Sequence, residues 1–106
     1  MMSSEDRAIL GRFAQQIRSR YPQADIRAFG SRARGAADSD SDLDVCIMLP
    51  EVNRDADRWV RNVAWEIGFD SGRVITTLVI DLQEFLRGPL SESTLMEAIR
   101  REGVAG

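Results

Sequence analysis

The sequence predicts a single α/β domain over residues 1–106, a small mixed β-sheet of about three strands covered by helices. Three observations predict it. Apolar residues recur at helical spacing in some stretches and as short β-branched runs in others, and the two patterns alternate along the chain. A length of 106 residues is one domain's worth and too short for two independent cores. A composition of 43% hydrophobic and 29% charged residues is that of a globular domain able to hide a core.

The elements follow in order. Residues 4–20 are predicted helical: Ser3 or Ser4 caps the start, and Glu5 and Asp6 suit the positive end. Ile9, Leu10, Phe13 and Ile17 form one apolar stripe, and Pro22 stops the helix. Residues 24–29 read as a short strand running into Gly30-Ser31. Residues 31–41 are small, polar and charged, a turn with at most one helical turn and then a loop. Residues 42–49 read as a strand ended by Pro50. Residues 55–67 read as a helix with Ala56, Trp59, Val60, Val63 and Ile67 on one face and Gly68 as its stop. The β-branched run 73–80 is a third strand. Asp81 then opens a short helix with Glu84 three residues on, as in a capping box, and Gly88-Pro89 breaks the chain. Thr94 with Glu97 starts a last helix carrying Leu95, Met96 and Ile99, closed by Gly103. Trp59 belongs to the core stripe, whereas Trp65 lies off it, exposed or covered by a partner.

Absences narrow the chemistry. The chain has no histidine, which removes Ser-His-Asp and Cys-His catalysis and every His-ligated metal site. All 14 basic residues are arginine, so there is no phosphate-loop lysine and no Schiff base. The lone Cys46 allows neither an internal disulfide nor a thiolate zinc site and fits a reducing cytoplasm. A net charge of −3 argues against direct nucleic-acid binding. The longest apolar run, Val45–Leu49, is far short of the roughly twenty residues that span a membrane, and the charged N-terminus has no apolar signal core, so a cytoplasmic location with no membrane partner is expected. What remains is carboxylates, arginines, hydroxyls and backbone amides, the tools of metal-assisted phosphate chemistry.

Two features lie close together. Gly30-Ser31 directly follows a strand, where glycine lets a phosphate approach the backbone and Ser31 adds a hydroxyl donor; a helical turn beginning there would add free N–H groups. Asp42 and Asp44 alternate along a strand and so project together, with Leu43 and Val45 facing the core. Two such carboxylates repel unless a cation lies between them, and Mg²⁺ prefers one or two carboxylates plus phosphate oxygens. A calcium loop through Asp38, Asp40, Asp42 and Asp44 fails, because the sixth and twelfth positions from Asp38 hold Leu43 and Leu49. Asp38 and Asp40 read as loop residues. Arg32 and Arg34 either contact phosphate or base, or balance those acids.

The order strand, Gly30-Ser31, ten residues, Asp42-Leu43-Asp44, strand resembles the nucleotidyltransferase superfamily that includes DNA polymerase beta. The stretch GSRARGAADSDSDLDV, and the ending IRREGV at 99–104, are similar to the small minimal nucleotidyltransferase (MNT) proteins over nearly the whole chain. The resemblance implies a nucleoside triphosphate held at Gly30 and Ser31, with Arg32 and Arg34 nearby, and divalent metals (Mg²⁺ or Mn²⁺) on Asp42 and Asp44. A hydroxyl then attacks the α-phosphorus and pyrophosphate leaves. It implies AMP transfer from ATP to an external acceptor, the usual partner being a HEPN-domain toxin for which the small protein is the antitoxin. One departure stands out. Active members usually carry a third carboxylate near the middle of a neighbouring strand, where this chain has Thr76 and Thr77. Asp81, beyond them, is either a third metal ligand or a helix cap. The competing reading is therefore a degenerate nucleotide- and metal-binding module that neutralises a partner by contact.

Overall fold

The computed structural model describes residues 1–36, 41–88 and 93–106. The expectations for Asp38, Asp40 and Pro89 lie outside them. The order is α1 (Ser4–Arg20), β1 (Asp25–Phe29), α2 (Gly30–Arg34), β2 (Leu43–Leu49), α3 (Arg54–Ser71), β3 (Ile75–Asp81), α4 (Leu82–Leu86), α5 (Thr94–Glu102) and β4 (Val104–Ala105). The strands form one mixed sheet in the order β3-β2-β1-β4. β1 pairs antiparallel with β2 and with β4, while β2 and β3 run parallel, joined through α3.

Alternation along β2 divides the core. Leu43, Val45, Ile47 and Leu49 face α1 and α3, packing with Phe13 and Ile17 of the first and Val60 and Ile67 of the second. Cys46 and Met48 face the opposite side with Ile80, Phe85, Met96 and Ile99, under α4 and α5. Asp44 belongs to this second face. Trp59 packs edge-on against Tyr21 at 5.7 Å.

The three expected strands are present, and a fourth joins them. β4 is only two residues long, too short for a periodic signal, and its pairing to β1 is reinforced by a Gly106 N–H bond to the Ile26 carbonyl of 2.9 Å. The second correction concerns Gly68, expected to stop α3. The helix runs on to Ser71, with Gly72 as its cap. Gly68 is a close-approach residue: a Cβ there would lie 2.5 Å from the Arg73 carbonyl oxygen, so only glycine lets the chain fold back into β3. Ser3, Asn53, Asp81 and Ser93 cap α1, α3, α4 and α5 through side-chain oxygens.

Cys46 is fully buried in the central strand, and burial, with Asp25 adding and Arg27 opposing, pushes its thiol from 9.0 up to about 12. The neutral thiol is thus favoured in the fold. That share of stability is full below pH 9 and is lost as pH rises toward about 12. A thiol reagent at pH 8 is expected to leave the native protein unlabelled and to label it fully in denaturant; rapid native labelling would contradict the packing.

Candidate functional site

β1 ends at Phe29, and the chain turns at Gly30 into α2. Gly30 has φ +77°, in the left-handed region that a side chain disfavours. A Cβ at Gly30 would lie 2.7 Å from Asp44 Oδ2, so the Asp44 carboxylate rests directly over this glycine. The register explains the contact, since Phe29 pairs with Asp44 across β1 and β2. Phe29, the residue before α2, offers no side-chain cap, and Ser31 is half-buried.

On the other flank of Asp44 stands β3. Asp44 pairs with Thr76, and Thr76 Oγ1 donates to Asp42 Oδ2 at 3.1 Å. Asp44 is half-buried and Asp42 exposed. Burial raises the Asp44 carboxyl above the usual carboxylate range, and the negative charge of Asp42 raises it further. Among the described residues no arginine lies within ion-pair distance of either carboxylate. Like charges adjoin there without a protein cation, which is the condition a divalent cation relieves. The donor set of two carboxylates fits one that takes its remaining ligands from phosphate and water. Among the described residues there is no cluster of three or more His, Cys, Asp or Glu for a closed all-protein metal cage.

The other expected site residues lie elsewhere. Arg32 is 7% exposed and turned inward: its Nη1 donates to Asp6 Oδ2 at 2.9 Å and its Nε to the Ser41 carbonyl. It spans the first turn of α1 and the entrance to β2, where a phosphate contact had been one expectation. Arg34 is half-exposed, 3.6 Å from Glu102, and its carbonyl accepts from the N-terminal ammonium at 2.9 Å. Asp81 pairs with Leu49 at the opposite end of the β2-β3 ladder, five residues beyond the Asp44–Thr76 pair, a displacement of about 16 Å at the usual rise. Its Oδ1 accepts from the N–H groups of Gln83 (2.7 Å) and Glu84 (3.4 Å), the helix-cap role. The structure therefore brings Gly30, Ser31, Asp42 and Asp44 together and leaves Asp81 out.

A groove adjoining the pair escaped the sequence reading. It lies between α3 and β3, holds about 510 Å³, and is walled by Trp65, Phe69 and Val74, with Thr76 among its lining residues. Trp65 and Phe69 stack at 5.5 Å. The available signal was that both lie off the apolar stripe of α3 and one helical turn apart.

The family model for the nucleotidyltransferase domain matches residues 10–100. No curated protein matches the chain. Among solved structures, a toxin-antitoxin with AMP-PNP superposes with a TM-score of 0.58 at 16% identity, over 89% of this chain and 69% of that one. A putative nucleotidyltransferase from Sulfolobus solfataricus superposes with a TM-score of 0.52 at 19% identity, over 95% of this chain and 81% of that one. At such identities these two show likeness of fold.

Proposed function

The chain belongs to the nucleotidyltransferase domain family, and from that premise we propose that it transfers AMP from ATP to a hydroxyl of an external protein, a HEPN-domain toxin, and is the antitoxin of that pair. The observation that carries the transfer reading is the Asp44 carboxylate over Gly30, with Asp42 beside it. The minimal (MNT) form is supported by the motif wording GSRARGAADSDSDLDV. The nucleotide and a toxin partner are supported by the fold's likeness to a toxin-antitoxin with AMP-PNP, and the HEPN class of that toxin by the resemblance of the motif wording to the minimal nucleotidyltransferases.

The chain's own residues have distinct tasks. Gly30 keeps the phosphate approach free of a side chain, and Ser31 offers a hydroxyl donor. Asp42 and Asp44 hold Mg²⁺ or Mn²⁺, and Thr76 orients Asp42. Divalent cation, when bound, neutralises phosphate charge and lowers the barrier to displacement. The acceptor oxygen bonds to the α-phosphorus and the bond to the bridging oxygen breaks. Pyrophosphate leaves with that electron pair, and the acceptor's proton passes to water.

The binding-module reading also has an observation in its favour: the β3 residue paired with Asp44 is Thr76, a neutral hydroxyl and the second residue of that strand. Incubation of ATP labelled at the α-phosphate with Mg²⁺ and the partner toxin separates the two. Label on the toxin supports transfer. Neutralisation without label supports the binding module and overturns transfer.

Two variants probe the assignment. Gly30→Val is expected to lose ATP binding even with Mg²⁺ and, by forcing a β-branched residue to positive φ, to cost about 1–3 kcal/mol of stability. Unchanged binding by calorimetry would move the phosphate site elsewhere. Asp81→Asn is expected to be nearly silent, because Asn caps as well as Asp, and Asp81→Ala to cost about 1 kcal/mol. Loss of transfer in a stably folded Asp81→Asn protein would restore Asp81 to the site.

A further inference from the structure

We propose that the groove between α3 and the free edge of β3 docks the acceptor, an extended acidic polypeptide segment with apolar anchors that delivers its hydroxyl to Asp42 and Asp44; this rests on the transfer reading above.

Direction comes first. In-line displacement places the entering and leaving oxygens on opposite sides of phosphorus. Asp44 is flanked by Phe29, and so by Gly30-Ser31, on its β1 side and by Thr76 on its β3 side. With the leaving pyrophosphate toward Gly30, the acceptor enters from β3. The groove lies on the α3 face of the sheet and Asp44 on the other, so the docked segment reaches the carboxylates around the edge of β3 at Thr76, which lines the groove and bonds Asp42.

The walls specify the occupant. Among the described residues β3 is an edge strand, seven residues long, and the N–H and C=O groups along such an edge form a template for an added strand. Trp65, Phe69 and Val74 are 70%, 76% and 64% exposed, and stacked aromatics of that kind serve as anchoring surface at interfaces. The charged lining is arginine only, Arg61 and Arg73; their carboxylate partners Asp57, Glu5 and Asp6 stand outside the groove. A strand alternating acidic and apolar side chains matches all three features.

The probe is a short peptide alternating leucine and glutamate around a central hydroxyl residue, with a lysine-for-glutamate twin as control. Binding is read by fluorescence anisotropy, and transfer by label from α-labelled ATP. The acidic peptide is expected to bind and the basic twin not. Trp65→Ala/Phe69→Ala is expected to weaken peptide binding roughly tenfold or more, leaving Mg²⁺-ATP binding unchanged. Arg61→Glu is expected to erase or reverse the preference for the acidic peptide. Binding of neither peptide, equal binding by the aromatic double variant, preference for a single-stranded oligonucleotide, or a self-dimer dissolved by the double variant each overturns the proposal. Peptide bound in the groove with no label transferred upholds the docking surface and defeats the transfer reading instead. Label transferred with an unchanged peptide KM in the aromatic variant does the reverse.

Discussion

Replacing Asp42 and Asp44 together by Asn is expected to abolish Mg²⁺-dependent ATP binding and to lower any transfer by roughly a thousandfold or more. A metal at a phosphoryl centre contributes several kcal/mol, and each 1.36 kcal/mol is tenfold in rate. The fold should survive, because neither carboxylate is part of the core and Asp42 is exposed. Without metal the variant should even be the more stable protein. The Asp44 carboxyl is raised by burial and then by Asp42, so its charged form is disfavoured in the fold. The parent's metal-free stability therefore declines as pH rises through the carboxylate range, and Asn removes that share of the decline. Added Mg²⁺ should raise the parent's melting temperature and leave the variant's unmoved. An undiminished Mg²⁺-ATP isotherm for the double variant would sink the site assignment.

Arg32→Ala is expected to cost about 3 kcal/mol of folding stability, near the low end for breaking a buried ion pair. The Arg32 and Asp6 side chains are only 8% and 4% exposed, so deletion of the guanidinium strands a buried carboxylate. The low end applies because Arg73 Nε remains 3.4 Å from Asp6. Replacing both members with apolar residues, Arg32→Met with Asp6→Leu, should recover most of the loss. That double variant also separates a structural role from a phosphate contact. ATP affinity per folded molecule should match the parent's, whereas a large drop would mean that Arg32 touches the nucleotide. Urea midpoints and calorimetry give the two readouts.

The parts legible in the sequence were those written in short-range spacing. Gly30-Ser31 after a strand and Asp81 three residues before Glu84 are local patterns that occupy the geometry they imply; Asp42, expected within the strand, lies just before β2, which begins at Leu43, yet near enough to raise the Asp44 carboxyl. Trp65 stood out because it left the apolar stripe, and it is exposed. The unreadable parts depend on what meets across the fold. Arg32 and Asp6 are 26 residues apart, and no local rule pairs them. Thr76 and Asp42, 34 apart, meet only through the β2-β3 register. Gly68 resembled a helix stop because its actual task, admitting the Arg73 carbonyl, concerns chain not yet folded back when the sequence is read forward. β4 was missed because two residues carry no period.

The Arg32 bond to the Ser41 carbonyl has a consequence for how this scaffold can diversify. Arg32 clasps the two ends of the segment that leaves α2 and re-enters the sheet just before the carboxylate strand. The end of α2 and the approach to the carboxylate strand are thereby tied through one side chain, while the position of Asp44 over Gly30 is held separately, by the pairing of Phe29 with Asp44. Substitution around Arg32 can therefore alter the approach to that strand over evolutionary time without retuning the register that sets the carboxylate.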